Sequence, residues 1–218
     1  MMNRYSFIKW TILPILKLYI KEIKGIENFP KKGRYIFVAN HNSLADDVAM
    51  AYLYILQRVD GKVSAIARQK PLKDNFIDNL IMDVIAFFSN AFFRIINSYE
   101  EGKISKAVQA LNKGYCFFNH PEGRVNTNPK VMLKAKTGTA RIALISKVPV
   151  IPIGVIDTEK VLPLNSHFPR FRRFSINIGK PLTFKEYYGK EDDKATLEKI
   201  TTIFMKEVAL LSGKLYPY

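Results

Sequence analysis

Tyr35-Ile36-Phe37-Val38-Ala39-Asn40-His41-Asn42-Ser43-Leu44-Ala45-Asp46 decides how the rest of the chain is read. Its first five residues form an apolar run of strand length, the next six are mostly polar, and from Asp46 to Gln57 the apolar residues fall at helical spacing. Strand, loop and helix in that order open a βα unit. Working outward, strand-length runs recur at 63–67, 91–96, 115–119, 150–156 and 174–178, and helical segments at 74–86, 100–112, 136–146 and 192–211. In the segment 100–112, Ile104, Ala107, Val108 and Leu111 share one face and Gly114 marks the stop. The alternation is that of an α/β fold, and no Gly/Ser-rich or charged linker divides it.

The 218 residues suffice for one domain with a substantial core, and 48% hydrophobic with 12% aromatic residues argues against disorder. Lys and Arg number 34 against 19 Asp and Glu, a net charge of +15, which points to an anionic partner: nucleic acid, an acidic lipid surface or a phosphorylated small molecule. No recognised base-reading motif accompanies the charge, so nucleic acid is not expected. The single Cys116 excludes an internal disulfide framework and a Cys-rich zinc module. His41, His120 and His167 lack the spacing of a metal-binding helix, and no metal is expected.

Near the amino terminus, residues 5–20 are apolar but interrupted by Lys9, Pro14 and Lys17, too short and broken for the ~20 residues of a spanning helix. No small-residue cleavage site follows, so no cleavage is expected. On a helical wheel Lys9, Lys17, Lys21 and Lys24 fall within a stripe of roughly 120°, with Phe7, Ile8, Ile12, Ile15, Leu16 and Tyr19 elsewhere. Two readings stand: an amphipathic arm, residues 1–24, lying on a membrane with snorkelling lysines and Trp10 at the headgroups, or a terminal helix packed on its own core. The α/β domain would then occupy 25–218. The apolar stretch 76–96 carries Asp78, Asp83, Asn90 and Arg94, costly in a bilayer, and reads as helix followed by strand.

His41 and Asp46 are five residues apart, which inside one helix would set them about 140° from each other. They can meet if His41 lies in the loop and Asp46 in the first helical turn. The carboxylate would then fix the imidazole tautomer and leave the other ring nitrogen free as a general base. The alternative is a plain capping box formed by Ser43 and Asp46. A second strand runs into Asn119-His120-Pro121-Glu122-Gly123-Arg124, where Gly admits close backbone approach and Arg offers a planar fork for phosphate, unless the loop is only a turn with surface charges. Val148-Pro149-Val150-Ile151-Pro152-Ile153-Gly154-Val155 reads as a buried strand whose prolines restrict pairing near its start. Arg170, Arg172 and Arg173, interleaved with Phe168, Phe171 and Phe174, make either a basic and aromatic membrane-facing patch or a strand with alternating faces.

Taken in order, the His-x-x-x-x-Asp, Pro-Glu-Gly with its nearby Arg, Lys136-x-Gly138, Val-Pro-Val-Ile-Pro-Ile and Gly179-Lys180-Pro181 blocks resemble the glycerolipid (lysophospholipid) acyltransferases over residues 25 to 182. The resemblance implies a single domain with a mixed, largely parallel sheet flanked by helices. It also implies acyl transfer from acyl-CoA or acyl-carrier protein to a lysophospholipid hydroxyl, typically lysophosphatidic to phosphatidic acid. His41 would be the base, Asp46 its orienter, and Glu122, Gly123 and Arg124 the phosphate-binding loop. It calls for no cofactor beyond the acyl thioester, and for a peripheral or monotopic position on the cytoplasmic face of an anionic membrane. The chain departs from the family where His120 replaces a Phe and where no Thr separates Gly123 from Arg124. The family's second block is represented by Phe92-Phe93-Arg94, with Arg94 either an acceptor contact or a solvated strand-end charge. His120 is either a hydrogen-bonded structural residue or one that tunes acidity or meets the acceptor. These departures keep open another acceptor, such as an ornithine lipid, a glycolipid or another lysophospholipid. A separate alternative, a non-catalytic protein of lipid surfaces, would keep the arm and the charge but tolerate loss of His41, whereas this chain has both His41 and Asp46.

Overall fold

The run before His41 is unbroken in its apolarity because it is buried on both faces: Ile36 and Val38 belong to one core cluster, Phe37 and Ala39 to the other. This is the expected condition of a parallel strand covered on each side by helices. The computed structural model describes residues 4–57, 63–67, 93–97, 99–164, 166 and 168–218. In chain order these form α1 (Arg4–Lys17), β1 (Ile20–Lys24), β2 (Ile36–Ala39), α2 (Ala45–Gln57), β3 (Val63–Ala67), β4 (Phe93–Asn97), α3 (Lys103–Asn112), β5 (Cys116–Asn119), α4 (Gly138–Ser146), β6 (Val150–Ile156), α5 (Thr158–Val161), β7 (Phe174–Ile178) and α6 (Lys194–Ser212). The helix expected at 74–86 lies outside the described residues.

Among the described residues the strands form one mixed sheet in the order β1-β7-β6-β2-β5-β3-β4. From β6 to β4 all neighbours are parallel, β7 turns antiparallel to β6, and β1 runs parallel to β7. One core packs α1, α2 and α5 against the face bearing Phe37, Phe118 and Ile153; the other packs α3, α4 and α6 against the face bearing Ile36, Phe117 and Val150. Pairing of β6 with β2 includes Pro152, whereas its antiparallel ladder with β7 begins at Ile153, as a residue without an N–H requires. Gly154 is dictated by α6: a Cβ there would lie 2.3 Å from the carbonyl carbon of Leu211.

One expectation fails in the amino-terminal arm. The helix stops at Lys17, and Ile20–Lys24 is a strand, so Lys21 and Lys24 do not continue a helical stripe. The last turn tightens, with Leu18 and Tyr19 donating to Ile15 and Leu16 carbonyls, and the Phe174 N–H then bonds the Tyr19 carbonyl at 2.9 Å. The open edge of β7 recruits this segment, a demand that no local periodicity reveals. Exposed Lys21, Glu22 and Lys24 with an irregular register between Ile20 and Glu22 suit an edge strand. Among the described residues no helix is long and apolar enough to cross a membrane.

Candidate active site

His41, His120 and Thr158 each lie within two residues of the carboxyl ends of the adjacent parallel strands β2, β5 and β6, the edge of an open α/β sheet where ligands bind. The loop after β2 is pinned first. Asn40 is fully buried and exchanges two 2.8 Å hydrogen bonds with the Val155 backbone, its amide donating to the carbonyl and its oxygen accepting from the N–H. That fixes the chain as it enters His41.

Asp46, also fully buried, stands in the first turn of α2. Its Oδ2 accepts from the Asn42 and Ser43 N–H groups at 2.5 and 2.9 Å and lies 3.0 Å from His41 Nδ1; its Oδ1 accepts from the Thr158 hydroxyl. The two readings of this turn therefore coincide, because the carboxylate that caps Ser43 also holds the imidazole. A carboxylate only accepts, so His41 Nδ1 carries the proton and Nε2 is left as the basic atom. The His41 side chain is 14% exposed, enclosed yet reachable.

The second loop docks on the first. Glu122 is buried, and its Oε1 accepts from the His41 N–H at 3.0 Å while Oε2 accepts from the Asn126 side chain at 3.0 Å and the Leu133 N–H at 2.8 Å. Asn126 returns its own N–H to the His41 carbonyl at 2.7 Å. The His41 peptide is thus gripped on both sides. With both oxygens committed inward, Glu122 ties the two loops together, and the groups left facing outward are those of Gly123 and Arg124. Both are exposed, Gly123 with φ +74 and with Lys136 Nζ 3.2 Å from where a Cβ would stand. Arg124 forms no ion pair among the described residues, so its guanidinium is free for an anion. Arg94 lies in β4 opposite Ser64, which pairs with Phe117, which in turn pairs with Ile36. The backbone register therefore sets it on the outer edge strand, below the strand ends that carry His41 and Glu122, while its side chain falls outside the description.

Several participants carry no sequence signal. Lys214 follows α6 and donates from Nζ to Asn42 Oδ1 at 2.7 Å and to the Asn128 carbonyl at 2.9 Å. Burial lowers its pKa from the usual lysine value, partly offset by the charges of Glu122, Glu159 and Asp46. The following residues strap the loop, with Leu215 N–H bonding the Lys130 carbonyl at 2.8 Å and Met132 N–H bonding the Leu215 carbonyl at 2.9 Å. Thr158 and Lys214 were unreadable because each is more than 110 residues from its partner, Asp46 or Asn42.

The two strand-end loops thus bring together a histidine whose Nδ1 faces a buried carboxylate and an exposed guanidinium without an ion pair among the described residues. A model of the Acyltransferase family matches residues 21–156, and the chain belongs to that family. Two curated relatives are 1-acyl-sn-glycerol-3-phosphate acyltransferases. That of Borreliella burgdorferi is 25% identical over 169 residues, 76% of this chain and 64% of the relative. That of Saccharomyces cerevisiae is 27% identical over 202 residues, 84% of this chain and 59% of the relative. The chain thus spans less than two thirds of the length of the curated relatives it matches. The crystal structure of the 1-acyl-sn-glycerophosphate (LPA) acyltransferase PlsC from Thermotoga maritima shares the fold at a TM-score of 0.66 and 21% identity, covering 99% of this chain and 85% of that one.

Proposed function

We propose that this chain transfers a fatty acyl group from an acyl thioester, acyl-CoA or acyl-carrier protein, to the free hydroxyl of a lysophospholipid, foremost 1-acylglycerol 3-phosphate. The observation that carries the reading is the 3.0 Å contact of His41 Nδ1 with the buried Asp46 carboxylate, which leaves Nε2 as base. His41 Nε2 takes the hydroxyl proton as the oxygen attacks the thioester carbonyl carbon. The tetrahedral adduct collapses, the carbon–sulfur bond breaks, and the imidazolium returns its proton to the departing thiolate. No acyl-enzyme forms, and no cofactor beyond the thioester is needed. A positioned base supplies roughly 10²–10⁴-fold, with proximity and charge stabilisation supplying the rest.

Arg124 and Lys136, beside Gly123, are suited to the acceptor phosphate. A peripheral position on the cytoplasmic face of an anionic membrane is supported by the exposed Trp10, Ile15 and Leu18 of the amino-terminal arm and by Phe168 and Phe171 among Arg170, Arg172 and Arg173. The Tyr19 and Phe171 rings meet edge-on at 6.1 Å, which joins the two apolar groups into one surface. Thiol release from acyl-CoA and acyl-carrier-protein donors, measured with lysophosphatidate in vesicles, tests the reading. Turnover that yields phosphatidate and disappears in folded His41→Ala and Asp46→Asn supports it. Unchanged turnover in His41→Ala overturns the mechanism, and turnover only with an ornithine lipid or glycolipid changes the acceptor.

A further inference from the structure

A second histidine–aspartate pair lies against the first. The His120 ring is parallel to that of His41, with centroids 4.0 Å apart and planes 9° from each other, and Phe118 closes on it edge-on at 4.7 Å. His120 Nδ1 is 3.1 Å from the Ala39 carbonyl, which only accepts, so Nδ1 carries a proton. The buried Nε2 has no hydrogen-bond partner, and 3.4 Å away stands Asp47 Oδ1. In a neutral ring, Nε2 would turn a lone pair toward a carboxylate; a second proton turns that repulsion into an ion pair. Nε2 is sealed from solvent and the side chain is only 10% exposed, so the ring meets the site chiefly through its face on His41.

We propose that His120 is a positioning residue for His41: as an imidazolium held by Ala39 and Asp47, it lies flat on the His41 ring, fixes its plane and opposes a second positive charge on the stacked pair. The inference rests on the acyl-transfer reading of His41. Among the described residues, the titratable groups facing His120 are Asp47 and Asp46 from α2 and His41 from the loop after β2, while β2 contributes the Ala39 carbonyl and β5 the Phe118 edge. Burial opposes charge on His120, but the bond and charge of Asp47, the charge of Asp46 and the Ala39 carbonyl outweigh it and raise its pKa above 6.5. Desolvation pushes Asp47 up, and the bond and charge of His120 outweigh it and bring it below 3.8. Like charges on facing rings resist each other, and this repulsion is what His120→Phe removes.

The test is a ¹⁵N NMR titration of the imidazoles, practicable with three histidines in the chain, alongside pH profiles of kcat/KM for wild type and His120→Phe, which keeps a ring in the stack. His120 should hold both ring protons at pH 6.5 and lose one at lower pH in Asp47→Asn. In His120→Phe the acid limb of kcat/KM should move by about half to one pH unit toward higher pH, with a larger loss at pH 6 than at pH 8.5. A purely structural ring would lower stability without moving that limb. A neutral His120 in wild type at pH 6, or an unmoved limb in a folded His120→Phe, overturns the proposal. Should wild type turn over no lysophospholipid, the acyl-transfer reading fails on its own. The His41 resonances then decide the coupling: titration at higher pH in His120→Phe supports it, and titration at an unchanged pH overturns it. If His120→Phe does not fold, the same comparison is made in His120→Gln.

Discussion

The two loops that build the site are assembled in opposite ways. After β2, His41 and Asp46 meet across five residues, and most partners of the Asp46 carboxylate are its own chain neighbours Asn42 and Ser43. After β5, His120 and Glu122 each reach a partner 81 residues away, Ala39 and His41, although Glu122 Oε2 also accepts from its own loop at Asn126 and Leu133. The first loop is a local device that needs only a strand, a turn and a helix start. The second has meaning only when β5 lies beside β2, and its acidic residue serves as an anchor for the first loop although it looks like a ligand contact in sequence.

The sharpest way to break this comparison is to remove the local device. His41→Ala should lower kcat by roughly 10²–10⁴-fold with the fold intact, read by thiol release and by circular dichroism. Glu122→Gln probes the long-range anchor. Its amide must turn an N–H toward either the His41 N–H or the donors from Asn126 and Leu133, so stability should fall by about 1–3 kcal/mol in urea unfolding. Because the His41 peptide also loosens, kcat should fall, by up to about 10²-fold, with KM for lysophosphatidate changing less. Were Glu122 a direct phosphate contact, KM would move first.

Gly154→Ala probes how far the helix behind the sheet supports the loops. Its Cβ would collide with the α6 backbone at Leu211, so a loss of about 1–3 kcal/mol is expected in urea unfolding, with a smaller loss of kcat because α6 runs on into Lys214. The smallest effect concerns Asp47 and His120. Raising His120 above 6.5 adds stability that is complete below that value and lost as pH rises through the folded pKa; lowering Asp47 below 3.8 adds stability present above that value and lost as pH falls through it. Their joint contribution is therefore greatest between about pH 4 and 6.5. Asp47→Asn should cost more at pH 5.5 than at pH 8.5 in parallel denaturant titrations, modestly, since the Asp47 side chain is 48% exposed.

Much of the fold was legible. The strands at Val63–Ala67, Val150–Ile156 and Phe174–Ile178 and the helices ending at Gln57, Asn112 and Ser146 follow from apolar period and stop signals. The segment Ile20–Lys24 was not, because its lysines continue a helical stripe and only the bare edge of β7 makes it a strand. In the site, the His41 and Asp46 contact was foreseeable from spacing, whereas Thr158, Asn126 and Lys214 have no local signature. Arg124 is exposed at the loop after β5, while the register of Arg94 sets its backbone away from the strand ends.

By itself, then, the sequence determined the α/β alternation, the loop that presents His41 and the identity of its carboxylate partner. All of these arise from periodicities and contacts spanning a few residues, where chain connectivity limits the geometry. The tertiary structure decided what lies across strands: that Glu122 faces inward as an anchor, that Thr158 and Lys214 close the site, and that His120 stacks on His41 with Asp47 at its far side. Those arrangements depend on the order β6-β2-β5 in the sheet, which is set by the packing of two apolar faces over the whole chain and is written in no short stretch of it.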